Sequence, residues 1–224
     1  MTKLIVGIST VPDGSMYNRH DMTDAQVIKN RQTYLEKLGI DTAQTTRVKT
    51  VYDGESYCRY RTVESGEKSK GMYDDDVEVA DALFTTDKHH ALLLPIADCI
   101  GAVFYDEKTH SLMVSHLGRH SLEQEGGYKT VHYFIEHSGA DSKDIKVWFT
   151  PAPGKDIYPI WALDNKGMKE VAFEQMQKAG ILPENITDNP ADSSRDLNYF
   201  SYSEFLKGNR DEDADYAIVA MITD

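Results

Sequence analysis

The 224-residue chain has only two cysteines, Cys58 and Cys99, which are 41 positions apart and in no C-x-x-C pair. Such spacing supplies no disulfide framework, so reduced thiols are the expected state. Basic charge is scarce as well: 24 Lys plus Arg stand against 37 Asp plus Glu, a net charge of −13. A surface of that sign repels phosphate backbones and anionic bilayers, which excludes nucleic acid and membrane as the main partner. Long apolar runs are missing too. The opening MTKLIVGIST carries five apolar residues in a row when Gly7 is counted, too few for a signal-peptide core. No stretch approaches the roughly 18 apolar residues needed to span a bilayer. The sequence therefore reads as cytoplasmic.

These absences leave a chain that can fold unaided. With 40% hydrophobic residues, a polypeptide of this length buries roughly 70% of its extended surface, and one domain over residues 1–224 is expected. Short strand-like runs recur at Leu4–Ile8, Ala91–Ile96, Ile100–Tyr105, Ser111–Ser115, Lys146–Phe149 and Tyr216–Ile222, each rich in Val, Ile, Leu or aromatics. Helices fall between them. Thr23-Asp24-Ala25-Gln26 has the form of a capping box, after which Val27, the Arg31 stem, Tyr34, Leu35 and Leu38 share one face up to Gly39. Val131, Phe134 and Ile135 mark a second helix between Gly127 and Gly139, and Met168 to Ala179 a third before Gly180. Alternating strands and helices mean an α/β or α+β fold. Glu64–Asp76 has almost no apolar residues and reads as an exposed connection. Its triplet Asp74-Asp75-Asp76 reads as a solvated face rather than a cation site. The adjacent His89-His90 point to opposite sides of extended chain and read as turn surface. His132 and His137 are spaced wrongly to share a helix face.

Chemistry concentrates between Ala91 and Ser121. One apolar strand ends in Asp98-Cys99, a second follows, and a third carries Ser115-His116 before Gly118. If Ile100–Tyr105 and Ser111–Ser115 form an antiparallel hairpin, Cys99 and His116 meet at one end of adjacent strands. A thiol beside an imidazole suits an activated nucleophile. It equally suits two ligands of a zinc ion. A third possibility is a buried structural cysteine beside an unrelated histidine.

Several blocks resemble one family in order and spacing. Gly7-Ile8-Ser9-Thr10 and Ser15-Met16 through Asn30-Arg31 are similar to its opening. Ala80-Asp81-Ala82-Leu83 and Ala97-Asp98-Cys99 resemble its A-D-A-L and A-D-C stretches, and His116-Leu117-Gly118 its H-A-G. Pro151-Ala152-Pro153-Gly154 with Tyr158, then Tyr199-Phe200-Ser201-Tyr202 and Ala217-Ile218-Val219-Ala220, are similar to its later blocks. The chain thus resembles the laccase-domain family, historically called multicopper polyphenol oxidases. Its members act as zinc-dependent purine nucleoside phosphorylases and adenosine deaminases. A related Cys and His arrangement occurs in the catalytic domain of cytotoxic necrotizing factor toxins, which makes a metal-free Cys-His hydrolase or amidase the alternative. A binding protein with an eroded site is the third.

The resemblance implies a layered α/β/β/α sandwich, a nucleoside and phosphate as small-molecule partners, and zinc held by Cys99 and His116. The family's third zinc ligand, the His of Q-x-H-G, matches Lys49 in Thr46-Arg47-Val48-Lys49-Thr50. A protonated lysine cannot coordinate a metal. Cys58 and His120 are the candidates to replace it. Asp98 is expected to orient the metal ligands or to act as a general acid/base. Arg47, Lys49, Arg59 and Arg119 are expected to converge as an anion pocket. Tyr158, Tyr199 or Phe200 could stack the base, although at least two of the three are expected in the core. Copper is excluded by counting. A multicopper centre consumes on the order of ten histidines, many in H-x-H pairs, whereas this chain has eight and no such pair.

Overall fold

A computed structural model describes residues 3–224. Among the described residues, twelve strands and five α-helices follow one another. The first half contains β1 (Lys3–Ile8), α1 (Ala25–Lys37), β2 (Thr45–Arg47), β3 (Tyr60–Thr62), β4 (Ala82–Thr85), β5 (Ala91–Ile96) and β6 (Ile100–Asp106). The second contains β7 (Ser111–Leu117), α2 (Arg119–Glu123), α3 (Gly126–Ser138), β8 (Lys146–Phe149), β9 (Pro159–Ile160), β10 (Lys166–Gly167), α4 (Met168–Lys178), β11 (Ile186–Thr187), α5 (Tyr202–Leu206) and β12 (Tyr216–Thr223).

Two mixed sheets result. One runs β1-β12-β5-β2 and the other β11-β8-β6-β7-β4-β3, while β9 and β10 form a separate small hairpin. The strands are apolar on both faces because both faces are covered. On β12, Tyr216, Ile218 and Ala220 pack between the sheets, whereas Ala217, Val219 and Met221 face Tyr34 and Leu35 of α1. On β6, Val103 and Tyr105 join the layer between the sheets, whereas Ala102 and Phe104 meet Val131 and Phe134 of α3 and Ala172 of α4. The order α1, four strands, six strands, α3 with α4 is the expected α/β/β/α sandwich. Among the described residues, no helix is long and apolar enough to cross a membrane.

The hairpin of β6 and β7 is antiparallel as expected, with Ile100 opposite Leu117 and Gly101 opposite His116. α3 and α4 also fall where periodicity put them, and Gly139 ends α3 at φ 71°. Other details depart from expectation. The N-cap of α1 is Asp24, whose side chain accepts from the Gln26 and Val27 N–H groups, while Thr23 bonds to Asp21 instead. The polar stretch 64–76 is mostly exposed, as expected, but it is tied to the fold. Gly71 and Met72 are buried, and their carbonyls accept from the guanidiniums of Arg31 and Arg47. A segment poor in apolar side chains is thus held by its backbone oxygens, each satisfying a buried cation. The two histidines of His89-His90 do point to opposite sides, but His90 lies wholly inside, against the Thr46 hydroxyl at 2.7 Å.

Candidate active site

The turn Ala97-Asp98-Cys99 carries the chain from β5 in one sheet to β6 in the other. Gly118 joins β7 to α2 beside it. These two crossings bring Cys99 and His116 together. A Cβ built on Gly118 would lie 2.8 Å from Cys99 Sγ, 2.9 Å from His116 Cε1 and 3.2 Å from His116 Nε2. Sulfur and imidazole therefore flank one glycine whose missing side chain leaves them room. Both line a cavity of about 530 Å³, a volume typical of small-molecule sites.

Both groups are electrically neutral near pH 7. Burial, followed by the charges of Asp98 and Asp215, pushes the Cys99 thiol up to about 12. Burial also pulls His116 down to about 4, although Asp81 acts in the opposite direction. His116 Nε2 is buried without a hydrogen-bond partner among the described residues. The ring lines the cavity and so keeps unused hydrogen-bonding capacity there.

The remaining candidates separate. Asp98, in the left-handed region at φ 70°, is consumed by its neighbours: Oδ1 accepts from the hydroxyls of Ser201 at 2.6 Å and Ser193 at 3.3 Å, and Oδ2 from the Ser203 N–H at 2.7 Å. A carboxylate so occupied anchors the segment 193–203 against the β5–β6 turn, while Asp98 itself lines the cavity. Asp98→Asn tests that role, because asparagine tolerates the left-handed backbone but turns an NH₂ toward one of three donors. The expected loss is about 2 kcal/mol of unfolding free energy, read from urea denaturation. A loss below about 0.5 kcal/mol would remove the anchor.

The four cations do not converge. Arg47 lines the cavity but is 1% exposed, with Nε on the Gly71 carbonyl at 2.6 Å and Nη2 on Asp75 Oδ1 at 2.7 Å. Lys49 holds the other oxygen of Asp75 at 2.6 Å and lies outside the cavity wall. Asp75, the middle of the acidic triplet, thus pairs with both. Arg59 is engaged by Asp81, with Nε 2.7 Å from Oδ2. Arg119 stays available: it lines the cavity, bonds to His120 Nε2 at 3.2 Å and pairs with no carboxylate among the described residues.

The replacement zinc ligands are no closer to the pair. Cys58 Sγ faces the Ser121 carbonyl at 3.9 Å and does not itself line the cavity. His120 reaches the cavity but stacks on Tyr57 at 4.7 Å, with Nδ1 3.7 Å from Glu123. Among the described residues, no three His, Cys, Asp or Glu side chains gather as a metal cluster. The donors present, one sulfur and one nitrogen, fall short of the three protein ligands usual for catalytic zinc, and no step is assigned to that ion. Copper fares no better, since His116 and His120 are the histidines that reach the cavity.

Tyr158 lines the cavity. Phe200 belongs to the layer between the sheets, and Tyr199 packs on Tyr216 at 5.3 Å. The wall also holds residues that the sequence did not mark as site candidates: Arg19, Tyr52, Tyr57, Tyr202 and Asp215. Arg19 and Asp215 are 196 positions apart and form an ion pair at 2.9 Å. Local spacing gives no signal for such a pairing. Ser201 did lie within a quoted block, but nothing in that block announces Asp98 as its partner.

The sequence pattern of the family described as multi-copper polyphenol oxidoreductase laccase matches residues 5–166. The chain belongs to this family. Within and around this laccase family, a relative named purine nucleoside phosphorylase YlmD, from Bacillus subtilis strain 168, is 26% identical over 159 residues. The alignment takes in 69% of this chain, which spans about half, 55%, of that relative's length. Solved structures share the laccase-domain fold across nearly the whole chain. YfiH of Bacillus licheniformis superposes with a TM-score of 0.82 at 19% identity, covering 97% of this chain and 92% of YfiH. YlmD of Geobacillus stearothermophilus does so with 0.82 at 17% identity, covering 99% and 92%.

Proposed function

We propose that this member of the laccase family is a purine nucleoside phosphorylase. The observation that carries the reading is the cavity that sets the neutral Cys99 and His116 beside Arg119, a guanidinium free to take an anion. The name of the Bacillus subtilis relative supports the same substrate class. Arg119 binds phosphate through its fork of N–H groups. The neutral His116 imidazole accepts a hydrogen bond from a ribose hydroxyl, and the tyrosine rings offer apolar faces to the base. A phosphate oxygen then bonds to C1′ while the electron pair of the C1′–N9 bond leaves with the purine. The hydrogen of HPO₄²⁻ ends on the departing base, so charge and atoms balance. Binding and orientation carry this reaction, since the attacking and leaving groups come from the substrates themselves.

Adenosine or inosine with phosphate should yield free base and ribose 1-phosphate, followed by chromatography. Arg119→Ala should raise the KM for phosphate at least about tenfold. Activity indifferent to phosphate, or ammonia released from adenosine in its absence, would overturn the reading, the latter in favour of deamination. Chelator-treated protein is expected to keep its activity, and a loss that only zinc restores would reinstate the metal.

The metal-free Cys-His hydrolase needs a thiolate, and a thiol pushed to about 12 beside an imidazole near 4 disfavours the ion pair at every pH between those values. Cys99 should therefore react with iodoacetamide at pH 7.5 no faster than an ordinary thiol. Alkylation tens of times faster than that would favour the hydrolase.

A further inference from the structure

The side of the cavity formed by Arg19 and Asp215 has no task in the reaction as described. Asp215, 7% exposed, precedes β12 and lines the cavity. Its backbone is fixed twice, by its N–H on Ser15 Oγ at 3.2 Å and by its carbonyl accepting from the Met16 N–H at 2.8 Å. Arg19 donates from Nη2 to Asp215 Oδ1 at 2.9 Å, its Nε forms an ion pair with Asp213 Oδ1 at 3.1 Å, and its guanidinium lies 4.2 Å from the Tyr202 ring centre. That arrangement leaves Oδ2 of Asp215 as an acceptor and Nη1 of Arg19 as a donor. A buried ion pair gains little stability by itself, but an oriented donor beside an acceptor is what a planar heterocycle edge requires. Cys99 feels the charges of both Asp215 and Arg119, so the pair and the free arginine lie close to the same reactive centre.

We propose, on the phosphorylase reading, that Asp215 and Arg19 are the specificity-determining pair that reads the nucleobase, Asp215 accepting from a base N–H while Arg19 donates to the neighbouring acceptor. The class selected is a purine nucleoside whose six-membered ring presents an N–H beside an acceptor. Adenosine does so in the order the pair requires, its 6-amino group toward Asp215 and N1 toward Arg19, whereas inosine reverses that order, with O6 accepting and N1–H donating. Purine riboside, which has no base N–H, does not.

Calorimetric titration of the intact protein with these three nucleosides, without phosphate, tests the proposal. The wild type should bind adenosine at least about tenfold more tightly than inosine or purine riboside. In Asp215→Asn, Arg19 keeps the amide oxygen toward itself, so an NH₂ faces the cavity where an acceptor stood. The preference should then collapse to within about twofold, with affinity for purine riboside retained as the sign that the cavity is still formed. Arg19→Gln, which loses the fork, should weaken the preference in the same direction. A preference that survives Asp215→Asn, or none in a wild type that does release free base, overturns the base-reading pair alone. A wild type that neither binds nor cleaves any of the three overturns the phosphorylase reading with it.

Discussion

Gly118→Ala is expected to cut kcat/KM for nucleoside phosphorolysis about 100-fold while the fold persists. Gly118 sits at φ −96° and ψ 176°, ordinary extended backbone, so alanine brings no conformational strain. What it brings is a methyl group 2.8 Å from Cys99 Sγ and 2.9 Å from His116 Cε1, closer than real side chains approach. Neither neighbour is a long flexible chain that can swing aside. The sulfur moves only by rotating one bond, and the imidazole is 6% exposed. The two groups must therefore separate by some tenths of an ångström. Displacements of about 1 Å near reacting atoms cost on the order of 100-fold in rate. Stability should fall by no more than about 1 kcal/mol, since Gly118 also caps α2 and alanine caps poorly. Turnover within about threefold of wild type would show that this contact has no part in the reaction.

The same residues show what sequence could and could not reveal. The β6–β7 hairpin was legible because its strands are continuous apolar runs broken by one polar turn, and the hairpin alone fixes Cys99 and His116 at one end. α3 and α4 were legible through 3.6-residue periodicity and terminal glycines. Short strands such as β2, β3 and β9 were not, because two or three residues carry no period. The polar segment 64–76 was legible as an exposed connection, but its anchoring was not: it presents carbonyl oxygens to Arg31 and Arg47, and carbonyls are common to every residue. Charge counting brought four cations to the site, but Asp75 and Asp81 had already claimed Arg47, Lys49 and Arg59. Arg119 was left over by pairing rather than by sequence position. Arg19 and Asp215 stayed hidden since they meet only when the first and last strands, β1 and β12, lie side by side.

Acidification should destabilise the protein steeply between pH 6.5 and 4, and two buried histidines set that window. Burial holds His90 and His116 each at about 4 in the folded chain, against 6.5 in the unfolded one. Between those values the unfolded state binds more protons, so stability falls as pH falls, by roughly 3 kcal/mol for each histidine at 1.36 kcal/mol per pKa unit. Asp215 opposes them. Burial raises its carboxyl from 3.8 to about 6 despite Arg19, so the folded state gains protons between those values and recovers roughly 3 kcal/mol over nearly the same range. The net loss is then about 3 kcal/mol, a large part of the 5–15 kcal/mol typical of a domain. At Asp13, Asp75 and Asp192, burial alone would raise the carboxyls, but hydrogen bonds outweigh it and hold them below 3.8. Their losses therefore fall at still lower pH, outside the window. Urea unfolding at pH 7.5, 5.5 and 4.5 measures the slope. His90→Gln, which can keep the bond to Thr46 without titrating, should abolish most of the net decline. A decline of equal size in wild type and variant would mean that His90 is protonated in the folded protein and that the acid sensitivity arises elsewhere.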